Sequence, residues 1–223
     1  MRTSLPVPRE RQHRRALSSV ALVTTVLALA TGCTQPAAAP VEEHTFGMHQ
    51  VASSGHAGVP VTELSSRDVL DVYSWEVTES ALAAMEWFLA GDCSEPAPST
   101  EEFVVACDSR SSTIFILRPA ALTAQDIASA ELLTSDPNDV GFNRGDLSIT
   151  FTEDGAGVFS TLTAAVSLAE SPANQIAIVV DGVVVSAPEV QQQITGGSAV
   201  VTSAEPDREW ESLAAWLNAQ AGS

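Results

Sequence analysis

Apolar positions along this chain change their spacing several times, and each change marks an element. Residues 45–51 predict a short strand, and 53–66, rich in Gly, Ser and Pro, predict a loop. The loose alternation of Val69, Asp71, Tyr73 and Trp75 predicts a second strand over 68–76. Thr78 then stands as N-cap of a helix over 79–90, with Leu82, Met85 and Leu89 on one stripe and Gly91 as its stop. Runs at 103–107 and 113–117, separated by a polar turn, predict a hairpin. Thr123 and Asp126 form a capping pair that predicts a short helix reaching Leu133, followed by a loop over 134–146.

The second half is more regular. Residues 147–151 alternate as a strand. Val158, Leu162, Ala165, Val166 and Ala169 trace one face of a helix over 154–170. Two apolar strands, 176–180 and 183–186, flank Asp181-Gly182, a strong hairpin signal because a type I′ turn needs positive φ at both central positions. Gly196-Gly197 opens a strand over 198–202. A last helix over about 206–219 turns Trp210, Leu213, Ala214 and Leu217 inward. Trp216, six residues from Trp210, faces another side. Strands and helices mix without a β-α-β rhythm, which predicts an α+β fold: a small, mainly antiparallel sheet with hairpins and three to four packed helices.

Charge narrows the function. The 223 residues carry 10 basic and 28 acidic side chains, a net of −18. All ten bases are arginine, and five of them, against the single acid Glu10, precede residue 33. The remainder holds five arginines against 27 acids, a net of −22. Such a polyanion cannot neutralise phosphates, so no nucleic-acid partner is expected. Anionic headgroups repel it too, so membrane attachment would have to be covalent.

The N-terminus has the layout of an export signal. Arginines over 2–15 precede an apolar stretch at 16–30, too short for a span of roughly 20 residues. Leu29-Ala30-Thr31-Gly32-Cys33 resembles the lipobox of bacterial lipoproteins, which are cut before a cysteine whose sulfur carries diacylglycerol. The alternative is an incidental cysteine after an ordinary signal. Arg14-Arg15 leaves a twin-arginine route open beside the Sec route. The expected organisation is a removed lipoprotein signal peptide (1–32), a Pro/Ala/Glu tether (33–45) and one domain over 46–221, clearest over 103–221. Localisation follows: the outer face of the cell membrane, held by lipidated Cys33.

In an oxidising compartment Cys93 and Cys107, with 13 residues between them, are expected to form a disulfide pinning a Pro/Ser-rich loop. No nucleophile elbow, H-E-x-x-H helix or phosphate loop is present. The glycines of Asp154-Gly155-Ala156-Gly157 follow acids that would repel phosphate. His44, His49 and His56, with Glu42 and Glu43, match no familiar metal-ligand spacing. Neither metal, cofactor nor catalysis is expected, and the acidic surplus is expected to be a solvated face.

One family emerges from particular residues. The run from Gln175 to Pro188, containing Asp181, Gly182, Ser186, Ala187 and Pro188, is followed by Ile194-Thr195-Gly196-Gly197-Ser198-Ala199. Together they resemble the head subdomain of the first extracytoplasmic loop of SecD, a partner of the Sec translocon. Phe151 to Ala156, Phe159 and Thr163 agree with it, and Ala106-Cys107-Asp108, Ile116 to Ala120 and Asp126 to Ala130 resemble SecD of high-GC Gram-positive bacteria. About a dozen residues separate Cys33 from Phe46, so the base beneath the SecD head is expected to have no counterpart here and a lipid anchor is expected to replace the membrane helices. The resemblance implies a non-catalytic module contacting exported polypeptides or the Sec translocon. The alternative is an envelope lipoprotein that has drifted to bind a wall component, a small ligand or a dedicated protein partner.

Overall fold

The computed structural model describes residues 43–94, 96–98, 100–133, 146–202 and 210–221. In chain order its elements are β1 (Phe46–His56), α1 (Ser66–Tyr73), α2 (Glu79–Ala90), β2 (Val104–Cys107), β3 (Thr113–Leu117) and β4 (Leu122–Thr123). A 3-10 turn (Ala124–Asp126) leads to β5 (Ile127–Leu132), β6 (Leu147–Phe151) and α3 (Glu153–Val166). The order closes with β7 (Ile176–Val180), β8 (Val183–Ser186), β9 (Ser198–Val201) and α4 (Trp210–Ala221). Four helices accompany antiparallel ladders, the α+β fold that the pattern predicts, with the strands divided between two sheets.

The larger sheet has the order β2-β3-β1-β7-β8, and β4 adds to β1. Its long strand β1 spends its first half on β7 (Phe46 opposite Val180) and its second half on β3 (His56 opposite Thr113). The end strands β2 and β8 meet through one parallel bridge, Asp108 to Val184, so the sheet curls toward a barrel. Val51, Ala106, Phe115, Leu117, Ala177, Val179 and Val184, drawn from all five strands of that path, fill its inside. Two layers cover the outside. Helices α1 and α2 pack Leu70, Ala84, Met85 and Phe88 over Phe103, Ile114 and Ile116. The three-stranded sheet β5-β6-β9, with α3 and α4, packs Ile149, Phe159, Trp210 and Leu217 over Met48, Ile178 and Val185. A strand sandwiched this way is buried on both faces, which is why β7 is an unbroken apolar run.

Several expected elements take another form. Residues 68–76 are not a strand: Ser65 and Asp68 make a capping box, with Asp68 Oδ2 accepting the Ser65 N–H at 2.9 Å, and start α1. Val69 and Leu70 are buried, and Tyr73 donates its hydroxyl to the Ala52 carbonyl at 2.9 Å, a helical stripe that mimics alternation when every second residue is read. Residues 53–56, expected as loop, continue β1 along β3. The capping pair Thr123–Asp126 forms, but its helix ends after three residues because Ile127 to Leu132 pair with β6. Asn218 of α4 clasps the other edge of β5, accepting from Ala130 N–H at 2.9 Å and donating to its carbonyl at 2.8 Å.

Helix α3 ends at Val166, four residues before the expected end, and its buried face is Gly155, Phe159, Thr163 and Val166 rather than the stripe through Val158 and Ala165. Val158 is 41% exposed. A glycine and a threonine on the core face hide it from an apolar pattern. Thr163 solves its own burial by donating back to the Phe159 carbonyl at 2.9 Å and accepting the Ile194 N–H at 3.0 Å. A Cβ on Gly155 would stand 2.5 Å from the Asp126 carbonyl oxygen, so the 3-10 turn seats on α3 only where no side chain intervenes. Residues 134–145, expected as loop, and 203–209, which include the expected start of the last helix, lie outside the described residues.

Candidate functional site

The bridge between Asp108 and Val184 separates two clefts. One, of about 430 Å³, runs along the whole of β2, with the Asp181-Gly182 turn on one bank and the strap around Cys93, Pro96 and Ala97 on the other. Trp87 of α2 lines it too. The other cleft, of about 410 Å³, is bounded by Asp108, Arg110, Phe115, Ser186, Ala187 and Thr202.

The disulfide joins Cys93 to Cys107 across 6.0 Å between Cα atoms, tying the tail of α2 to the end of β2. Just beyond it Asp108 organises the β2–β3 turn. It accepts from Ser112 N–H at 2.7 Å, Ser112 Oγ at 2.6 Å and Thr113 N–H at 3.2 Å. Partial burial pushes its carboxyl up, and those hydrogen bonds outweigh that push, holding it below the usual carboxylate range.

The Asp181-Gly182 turn takes the positive φ values its sequence calls for, 53° and 78°. Asp181 also fastens the start of β1: its carboxylate accepts the Thr45 N–H at 2.8 Å and pairs with His44 Nδ1 at 2.8 Å. The His44 ring stands edge-on to Trp216, centroids 6.1 Å apart. His49, further along β1, bonds the Arg118 carbonyl through Nδ1 at 2.8 Å, while His56 ends that strand. Burial pushes the His49 ring below the ordinary histidine range, partly offset by that hydrogen bond. The three histidines thus serve separate points of β1. Among the described residues no group of three His, Cys, Asp or Glu stands together as a metal site.

The family-motif residues fall at four places. Asp181 and Gly182 border the first cleft, and Ser186 and Ala187 the second. Pro188 accepts the Ile176 N–H at 3.1 Å. Ile194, Thr195, Gly196 and Gly197 lead over α3 into β9, with Gly197 at φ 69° accepting the Phe151 N–H at 3.0 Å. Cys33 lies outside the described residues. The edge of β2 and Trp87 were hidden in the sequence: Val104–Cys107 is only a short apolar run, and nothing local says that one side of it stays open.

These elements define a two-sheet α+β module that carries a strand-edge cleft. Residues 101–221, more than half the chain, match the SecDF P1 head subdomain family. The chain belongs to that family. Similar proteins include the protein translocase subunit SecD of Streptomyces coelicolor, 33% identical over 132 residues, 58% of this chain and 22% of that one. Another is the protein translocase subunit SecDF of Thermus thermophilus, 38% identical over 85 residues, 38% of this chain and 10% of that one. The chain thus spans about a fifth or less of these curated relatives. A solved structure of SecDF, described as a membrane component that enhances protein export, aligns with 80% of this chain and 63% of its own, at 23% identity and a TM-score of 0.44. Among the described residues no helix is long and apolar enough to cross a membrane.

Proposed function

We infer that this chain is a non-catalytic, lipid-anchored head module on the outer face of the cell membrane, where it contacts exported polypeptides beside the Sec translocon. The observation that carries the reading is the cleft along β2, which opens a strand edge, the surface an unfolded chain can use, in a member of the SecDF P1 head subdomain family. Family membership supports the place of action, and the Cys33 motif supplies the attachment that a chain of this charge needs.

The anchor and the contact are tested separately. Cys33→Ser is expected to abolish globomycin-sensitive processing and release the protein from membranes; unchanged attachment refutes the anchor. In-cell crosslinking of the tagged protein, compared with an unrelated Cys33-type anchored control, is expected to enrich Sec subunits or unfolded exported chains. A partner set without either assigns the module to another envelope task.

A further inference from the structure

β2 is an end strand of its sheet. Asp108 N–H bonds the Thr113 carbonyl at 2.9 Å, and the ladder sets Ala106 opposite Phe115 and Val104 opposite Leu117. Antiparallel pairs alternate between bonded and non-bonded positions. The peptide groups of Val105 therefore point away from β3, into the cleft. The single bridge to β8 lies at the far end of β2, at Asp108, so the cleft occupies the place where a neighbouring strand would run. The edge is short, which limits how long a strand can add to it, and it carries no lysine, proline or inward charge to block pairing.

The lining states what kind of strand fits. Among the described residues the cleft is lined by two acidic residues, Asp108, whose carboxylate is bonded to Ser112 and Thr113, and Asp181, whose carboxylate is bonded to Thr45 and paired with His44, and by no arginine, lysine or histidine. Asp108 holds its charge through the hydrogen bonds of Ser112 and Thr113. Half-buried Trp87 puts an aromatic ring, a group that attracts cations, on the lining, and Pro96, Ala97, Val104 and Val183 supply apolar wall.

We propose that the free edge of β2 takes up an extended segment of another polypeptide as an added strand, and that it selects segments in which apolar residues alternate with arginine or lysine. The inference rests on the reading that this module contacts exported polypeptides and adds the place, the mode and the chemistry. Main-chain bonds to Val105 supply sequence-tolerant affinity, while Asp108, Trp87 and the net negative charge of the domain discriminate by charge. The acidic character of the domain draws cationic segments toward it.

The test uses the full chain in detergent micelles and a ten-residue peptide alternating valine with arginine. The arginine peptide is expected to bind, a glutamate counterpart to bind at least about tenfold more weakly, and a proline-interrupted counterpart to lose binding. Trp87→Ala is expected to weaken the arginine peptide about fivefold. Amide exchange at Val105 is expected to slow when the peptide is present, a readout independent of any variant's folding. No binding, equal binding of the arginine and glutamate peptides, or unchanged exchange at Val105 in the bound state each overturns the proposal. In cells, a photo-reactive residue at Ala97 or Ser111, in the cleft, is compared with one at Leu168, far out on the surface. Exported chains caught at Leu168 but not in the cleft overturn the edge site and leave the module's function standing. Exported chains caught at no position overturn the function itself.

Discussion

His49 shows how a single side chain ties the domain to pH. Its ring is buried on β1, bonded to the Arg118 carbonyl, and its proton affinity in the fold is below the ordinary value. Below about pH 6.5 the unfolded chain takes up a proton that the folded one refuses, so stability is full above that pH and falls as acid is added. His49→Gln is expected to flatten the fall of the denaturation midpoint between about pH 7 and about pH 5; an unchanged slope would assign it to other groups. At this scale the sequence is partly legible. Asp181-Gly182 announces its turn because turn chemistry is local. That Asp181 also holds Thr45 and His44, some 136 residues away in sequence, is a fact of tertiary assembly that no local pattern carries.

Elements were legible wherever their apolar period matched their surroundings. The β2–β3 and β7–β8 hairpins, α2 with its Thr78 cap and Gly91 stop, and the inward face of α4 all follow the pattern. The exceptions have particular causes. In α1 the capping box overrides an accidental alternation. In β5 strand pairing and the Asn218 clasp override a capping pair. In α3 the core face carries Gly155 and Thr163, so apolar residues on the wet side, Val158 among them, draw the eye to the wrong stripe. Two substitutions decide between the faces. Phe159→Ala, which also loses the ring contact with Phe151 at 4.6 Å, is expected to cost about 3–5 kcal/mol. Val158→Ser is expected to stay within about 0.5 kcal/mol. Equal costs in chemical denaturation would refute the observed orientation.

For the whole molecule, the pattern announces the α+β class and conceals the division into two sheets, because that division depends on which strands meet rather than on what each strand is. The disulfide acts at this scale. It fastens the α2 layer to the end of the barrel-like sheet and holds the strap against the first cleft. Replacing Cys93 and Cys107 together by serine is expected to lower the unfolding free energy by about 3 kcal/mol, as the chain-entropy account gives for a loop of about 15 residues. An unchanged denaturation midpoint, or two free thiols by mass analysis of the native protein, would refute that role.

The pairing of β1 with β7 sets a timetable. A chain delivered N-terminus first presents Phe46 early, yet the partner of Phe46 is Val180. Until residues 176–180 arrive, the first half of β1 has one flank bare, and Met48 waits without Ile178 beside it. The α1–α2 layer finds Phe103, Ile114 and Ile116 within the first 117 residues and is free to assemble sooner. In a chain that emerges this way the partners of the α1–α2 layer are all present before the β1–β7 ladder can close, and the hairpin around Asp181 both completes the sheet and forms one bank of its cleft.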